Sequence, residues 1–471
     1  MAEKEKEKSP GELLQEQLVF KPENNGSLMS EEEIEKALAF SEGYKAFLDA
    51  SKTERACADW VISLLKEKGY TPFDPDKAYK PGDKIYLANR GKAVILAAIG
   101  RRSLAEGVKI LASHIDSPRV DLKQRPLYEE AQLAMFKTHY YGGIRKYQWV
   151  ATPLALHGVI VKKDGQSVSV CIGEDAGDPV FCINDLLPHL AREQEKRTLG
   201  EGIKGEELNV LVGSLPFKDE KASEKVKLNI LRLLNEKYGI VEEDFLSAEL
   251  CLVPAHKARD VGFDRSMVGA YGHDDRVCAY TSLMACLEAP TPDYTWVNVL
   301  ADKEETGSEG NTGLASRFLE NFILDLAGGQ KLEGRRVIEK SECLSADVNG
   351  AFDPTFADVN DKKNCCYIGY GAVMSKYTGA RGKAGTNDAS AEFVGKIRRL
   401  LNGGGVRWQT AELGKVDAGG GGTVAKFISN LGADVVDIGV PVLSMHAPLE
   451  VVGKLDVYNT YRAFLVFISQ S

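Results

Sequence analysis

The 471-residue chain has no apolar run near the roughly 20 residues that a membrane-spanning helix needs, so no membrane association is expected. Its start, Met1 to Lys8, alternates lysine and glutamate around no apolar segment, which argues against a secretory leader. There is no C-x-x-C pair, and the nine cysteines are odd in number and scattered. That pattern excludes a disulfide framework and points to reduced thiols in a cytoplasm. Positive charge is in deficit, the formal net charge being -9, which disfavours wholesale nucleic-acid binding. No Gly-x-Ser-x-Gly elbow is present, so serine hydrolysis on that scaffold is disfavoured. No Gly-Lys-Ser/Thr occurs, at the Gly419 to Gly422 run or elsewhere, so a P-loop is unsupported. Internal repeats and long low-complexity segments are also missing.

What is present is enough chain for two or three domains with a large core, at an ordinary 44% hydrophobic content. Residues 1 to 28 are polar, and their start is expected to be poorly ordered. Ser30 before Glu31-Glu32-Glu33 is a helix N-cap with acids in the first turn. Helices are expected from Ile34 to about Leu48 and from about Thr53 to Lys68, and strands over Ala93 to Ile99 and Val108 to Ala112. The texture then changes. Alternating runs at Leu156 to Val161 and Ser167 to Cys171, joined by Lys163-Asp164-Gly165, read as a hairpin. Tyr140-Tyr141-Gly142-Gly143 and Trp149 read there as packing, turn or interface residues. Strand and helix alternation resumes from about Met267, with helices over Asp275 to Leu287, Leu314 to Leu326, Asp388 to Leu401 and Tyr458 to Phe467. The expected organisation is one α/β domain in two segments, 1–120 and 263–471, interrupted by a β-rich insert at 121–262.

Chemistry concentrates where expected strands and helices begin or end. The apolar run Tyr294 to Leu300 stops at the adjacent carboxylates Glu304 and Glu305. In α/β sheets that end of a strand is where ligands bind, and a buried pair of carboxylates needs a cation or a shared proton. His114, Asp274, Asp347 and His446 also fall at element ends. With Glu305 they make two imidazoles and three carboxylates, a donor set suited to Zn²⁺, with Co²⁺ or Mn²⁺ possible. Five donors exceed a tetrahedral site with a water, and fit two divalent metals about 3.5 Å apart with one carboxylate bridging. Glu304 is then left beside the water as a general base. Asp116 is spaced to receive the second N–H of His114 and fix its tautomer. Gly419 to Gly422 would let the backbone approach a substrate or metal closely before a helix at Thr423 to Ile428.

Five motifs occur in order: Ser-His-x-Asp-Ser-Pro at Ser113 to Pro118, His-Asp-Asp at His273 to Asp275, Glu-Glu-x-Gly-Ser at Glu304 to Ser308, Ser-Ala-Asp at Ser345 to Asp347, and Ser-Met-His-x-Pro-x-Glu at Ser444 to Glu450. From about residue 10 to its end the chain resembles the aspartyl aminopeptidase and yeast aminopeptidase I family of dinuclear zinc peptidases, peptidase family eighteen. The resemblance implies a phosphorylase/hydrolase-like three-layer α/β catalytic domain with an inserted β-rich dimerisation domain. It also implies a tetrahedral homododecamer whose active sites face an inner chamber. Carried over by position, Asp274 bridges the metals, His114 and Asp347 serve one, and Glu305 and His446 the other. Glu304 matches the family's base, and His189, in Leu187 to Ala191, matches a histidine of the insert that reaches a neighbouring subunit's site. Glu304, Asp116 and His189 thus form the catalytic set. Lys376, Gly421, Gly422 and Thr423 fall where the family lines its substrate pocket. The aspartyl enzymes have Leu-Asp-Asn-Leu where this chain has His273-Asp274-Asp275-Arg276, and Met-Ala-His-Ala where it has Asn349-Gly350-Ala351-Phe352. The likeness is closer to the bacterial branch, which leaves the preferred N-terminal residue open.

The expectation is therefore a cytoplasmic metallo-aminopeptidase acting on peptides. Two rivals remain at this stage. A deacylase of N-acyl amino acids would require a free carboxylate near the scissile amide in place of a free amine. A non-catalytic chamber-forming carrier would have no need of Glu304.

Overall fold

In the computed structural model, which describes residues 8–470, the strands form sheets of nine, seven and five. The nine-stranded sheet runs, edge to edge, Thr71–Pro72, Lys84–Asn89, Ala93–Ala98, Trp296–Ala301, Lys109–His114, Glu342–Ser345, Asp434–Gly439, Ala372–Ser375 and Trp408–Thr410. Its four central strands, from Trp296–Ala301 to Asp434–Gly439, are mutually parallel. They are buried along nearly their whole length because both sheet faces are covered. Alternation decides which helix each side chain meets. Leu96, Leu111 and Leu300 share a core with Phe47, Val61, Leu283, Phe464 and Phe467. Ile95, Ile110 and Val299, on the opposite face, share one with Phe322, Ile323, Leu326, Ile338 and Ile428. The result is a three-layer α/β/α arrangement. The helix His273–Glu288 is buried nearly all round, from His273 to Leu283, since it lies between the sheet and the helices Glu31–Ala50 and Lys454–Ile468.

The seven-stranded sheet is built from residues 119 to 254 and has its own core, including Val120, Phe136, Trp149, Leu156, Phe245 and Leu252. Its central pair, Arg119–Glu130 and Leu133–Tyr141, is antiparallel with an irregularity between Leu122 and Leu127. The hairpin expected at 156–171 is present as Leu154–Val161 and Ser167–Ile172. The five-stranded sheet pairs Met267–Ala270 with Glu450–Gly453 and carries Pro441–Leu443, so the loop holding His446 is closed by a hairpin.

Three expectations need correction. The polar start is not wholly without structure: Ser9 and Glu12 close a capping box on a helix, Pro10–Leu18. The alternating charges of residues 1–7 lie outside the described residues. The last helix begins at Lys454, ahead of the expected Tyr458, because Lys454 is buried against Asp260 at 2.8 Å and so does not mark a solvated turn. The helix expected from Leu314 begins at Phe318. Among the described residues no helix is long and apolar enough to cross a membrane.

Candidate metal centre

Three strand ends of the large sheet meet a hairpin of the small one. The strand Lys109–His114 ends in His114, and Trp296–Ala301 leads through Lys303, at a positive φ of 68°, into Glu304 and Glu305. Glu342–Ser345 leads to Asp347, while the hairpin of the small sheet presents His446, itself at φ 67°. Asp274 sits at the entry of its helix with non-helical angles, after Gly272 in the left-handed region, and the Asp274–Asp275 peptide is cis. A methyl on Gly272 would lie 1.5 Å from the Arg276 guanidinium, so this turn has no room for any other residue. The turn frees Asp274 from capping its own helix and turns its carboxylate to the centre.

The expected donors converge. Asp274 Oδ1 lies 3.2 Å from His114 Nε2, and its Oδ2 lies 3.2 Å from His446 Nε2. Glu305 stands 3.5 Å from His446 Nε2, and Asp347 3.9 Å from His114 Nε2. Glu304 also comes within 3.9 Å of that nitrogen. One donor atom each from His114, Asp274 and Glu305 lie within 4.8 Å of one another, and so do those of His114, Asp275 and Asp347.

The outer contacts fix the two rings. His114 Nδ1 is 3.1 Å from the Asp116 carbonyl and 3.2 Å from its carboxylate. His446 Nδ1 is 2.8 Å from the Gly143 carbonyl. An oxygen of these kinds only accepts, so each Nδ1 carries a proton and each Nε2 is the ring nitrogen left facing the centre. Asp116 further accepts from the backbone N–H groups of Glu304 (3.1 Å) and Glu305 (3.2 Å) and from the Tyr141 hydroxyl (2.7 Å). Burial pushes its carboxyl up, but His114, Tyr141 and Arg119 more than offset this and hold it below its ordinary value.

Inside this frame the electrostatics are unbalanced. Burial, partly offset by His114 and reinforced by Asp347 and Asp274, pushes Glu304 up to about 8. Burial with the Asp274 charge, against the His114 contact, pushes Asp347 up to about 6, and burial with Asp274 pushes Glu305 well above its ordinary value. Four buried polar atoms aimed at the centre have no hydrogen-bond partner: His114 Nε2, Asp274 Oδ1, Asp275 Oδ1 and Glu305 Oε1. Imidazole nitrogens and carboxylates crowded around one spot are a donor set that a divalent cation satisfies, displacing imidazole protons and reversing the upward pull on each acid. Imidazole and carboxylate donors without thiolate suit zinc.

Two further carboxylates belong here that the sequence reading did not assign a role. Asp275 accepts weakly from the His114 backbone N–H at 3.4 Å, and its adjacency to Asp274 was the available signal. Glu450 accepts the N–H of Asp274 at 3.0 Å and of His446 at 2.6 Å, pinning both residues. Burial and the Asp274 charge, against those two donors, push Glu450 up to about 8. Its place in the Ser-Met-His-x-Pro-x-Glu motif was the signal. His273, by contrast, is a core residue: its Nε2 donates to the Val268 carbonyl (3.0 Å), and its Nδ1 accepts from Tyr44 (2.6 Å).

The remaining expected residues have contacts of their own. His189 is exposed on the turn-rich stretch between the short strands Cys182–Ile183 and Val210–Gly213. Lys376, at the end of Ala372–Ser375, pairs with Asp388. Gly421 donates its N–H to Thr378 at 2.8 Å. Thr423, buried, caps Ala425 and faces Asp437, the carboxyl to which Ser345 donates at 2.8 Å. The close backbone approach expected of the glycine run is made to protein: a methyl on Gly419 would meet the Leu413 carbonyl at 1.9 Å, and one on Gly420 the backbone of Ala380 at 2.5 Å. Gly422 has open space around it. The helix beyond is shorter than expected, Ala425–Ser429.

Comparison with known proteins agrees with this picture. Residues 47–468 match the family model described as aminopeptidase I zinc metalloprotease (M18). The chain is 50% identical over 468 residues to the "Probable M18 family aminopeptidase 1" of Clostridium acetobutylicum, covering 98% of this chain and 100% of that one. The crystal structure of aminopeptidase I from the same organism superposes with a TM-score of 0.90 at 47% identity, covering 96% of this chain and 100% of that chain. A dodecameric aminopeptidase structure from S. cerevisiae, 22% identical over 90% of this chain and 95% of that one, shares the fold at a TM-score of 0.74. The chain thus belongs to the M18 family of zinc metallo-aminopeptidases, hydrolases that act as exopeptidases.

Proposed function

We propose that this aminopeptidase works with two zinc ions per subunit and releases N-terminal amino acids from short peptides. The observation that carries the reading is the carboxylate of Asp274, whose two oxygens face two different imidazoles at 3.2 Å each. In this reading His114 and Asp347 would hold one ion and Glu305 and His446 the other, with Asp274 shared between them. Co²⁺ or Mn²⁺ would suit the same donors. Zinc bound there supplies Lewis-acid polarisation of the scissile carbonyl and lowers the pKa of a water. Glu304, 3.9 Å from His114 Nε2, takes the proton of the attacking water and delivers it to the leaving amine. Asp116 holds the His114 ring and the backbone of both glutamates in place for that transfer.

The wider reading follows the domain layout. Residues 1–120 and 263–471 form the catalytic unit, and 121–262 the insert through which two subunits pair. His189 is exposed in the single chain and reaches the site of a neighbouring subunit. Lys376, Gly421, Gly422 and Thr423 line the substrate pocket. Twelve subunits, as in the S. cerevisiae protein's dodecamer, arranged as a tetrahedron of dimers, enclose a chamber in the cytoplasm that admits peptides. A panel of aminoacyl chromogenic substrates, with zinc, cobalt or manganese supplied in turn, tests the reading. Cleavage that requires a free α-amine supports it. A preference for N-acylated substrates with a free carboxylate would replace it with the deacylase.

A further inference from the structure

The inserted sheet meets the metal centre at the end of the strand Leu133–Tyr141. Three consecutive residues there each meet a different part of the centre. Tyr141 donates its hydroxyl to Asp116 at 2.7 Å. Gly142 packs on Glu305: a methyl in its place would stand 3.3 Å from the Glu305 Cβ and 3.4 Å from Pro118. Its φ of 73° is also one that L side chains rarely adopt. Gly143 accepts the His446 Nδ1 proton at 2.8 Å.

The strip is held from behind. Arg119 pairs in register with Tyr141 across the two strands, and its guanidinium lies 4.1 Å from the centre of the Tyr141 ring. Arg119 itself is fixed by Glu54 at 3.0 Å and Asp121 at 2.8 Å. Glu54 belongs to the helix Glu54–Glu67 of the catalytic layers, and Asp121 to the inserted sheet. Turning the ring away would therefore give up its contact with a guanidinium that is itself held in place.

We infer that Tyr141-Gly142-Gly143 is a positioning strip through which the inserted sheet sets both imidazoles and the Glu305 carboxylate of the metal centre. The inference rests on the proposed metal reading. Through Asp116 the strip fixes His114, and through the Gly143 carbonyl it fixes His446. Both rings keep Nδ1 protonated and Nε2 turned inward only while these acceptors stay in place. A metal centre in the catalytic layers thus depends on the seating of the insert, so a subunit partner that braces the insert would also tighten metal retention.

The test uses full-length protein loaded with zinc. Zinc affinity and release are followed by competition with a chromogenic chelator, alongside kcat and KM on an aminoacyl p-nitroanilide. Outer-shell partners of metal ligands typically contribute between about 10- and 100-fold to metal affinity or activity. Tyr141→Phe removes one hydroxyl and is expected to weaken zinc binding and lower kcat within that range, with KM, circular dichroism and particle mass unchanged. Gly142→Ala should do the same by displacing Glu305. Tyr140→Phe, the exposed neighbour on the same strand, should leave all readings at wild-type values. If Tyr141→Phe and Gly142→Ala hold zinc and turn over like wild type, the strip has no positioning role. If wild-type protein binds no zinc, the metal reading itself falls, and the inference with it.

Discussion

His114 Nε2 lies 3.2 Å from Asp274 Oδ1, joining the end of a central strand to the entry of the most buried helix. Neither residue has another use for that contact: both atoms are buried without a hydrogen-bond partner. Asp274→Asn keeps the shape and removes the charge. Its expected effect is loss of both zinc equivalents and a fall in turnover of at least about a hundredfold, beyond the usual range for outer-shell changes. Metal analysis of the purified variant checks it, and a variant that retains both equivalents speaks against bridging by Asp274.

Glu304→Gln keeps size and removes the proton acceptor. Turnover should fall by at least about a hundredfold, the usual scale of general-base catalysis, while zinc content stays at the wild-type level. Wild-type kcat in this variant would assign the base to another group.

Much of this centre is legible in the sequence because apolar runs end at chemically distinctive residues. Val108 to Ala112 leads to His114 and Tyr294 to Leu300 leads to the paired glutamates, and strand ends in an α/β sheet meet at one edge. Other parts are hidden for physical reasons. The strand Arg119–Glu130 carries Lys123-Gln124-Arg125-Pro126 through an irregular register, which breaks the alternation that would have revealed it. Tyr141 looks like packing because a hydroxyl's partner, here Asp116, depends on how the insert folds back. The helix Pro10–Leu18 buries none of its side chains, so no apolar stripe marks it. Its capping box, Ser9 with Glu12, is a local signal set in a polar stretch.

Stability should depend on pH through Glu174, which joins the inserted sheet to the first helices. It meets His157 at 2.8 Å and Lys52 at 2.9 Å. Burial pushes its carboxyl up, but these partners and Lys257 more than offset this and hold it at about 2, against an ordinary 4.5. A depressed carboxyl contributes stability that is present above 4.5 and lost as pH falls toward about 2. Glu174→Gln should therefore cost roughly 3 kcal/mol at pH 7, the scale of breaking a buried pair. The gap between variant and wild type should narrow below pH about 4.5. Urea unfolding of both proteins at pH 7 and pH 3 measures it, and an equal gap at the two values contradicts the linkage.

The assembly has its own test. Light scattering should give a large homo-oligomer of about twelve chains that cleaves short peptides far faster than folded proteins, as openings limit entry. His189→Ala should assemble normally and lose activity. A fully active monomer would remove both the chamber and the trans-acting histidine, whereas a fully active His189→Ala oligomer would remove only the latter.

The central claim is a pair of metals around one bridging carboxylate. Anomalous diffraction at the zinc edge, on crystals of the zinc-loaded wild type, addresses it most directly. The account predicts two zinc peaks, one bound by His114 and Asp347 and one by Glu305 and His446, with Asp274 touching both. A single peak, or peaks held by other residues, would contradict it.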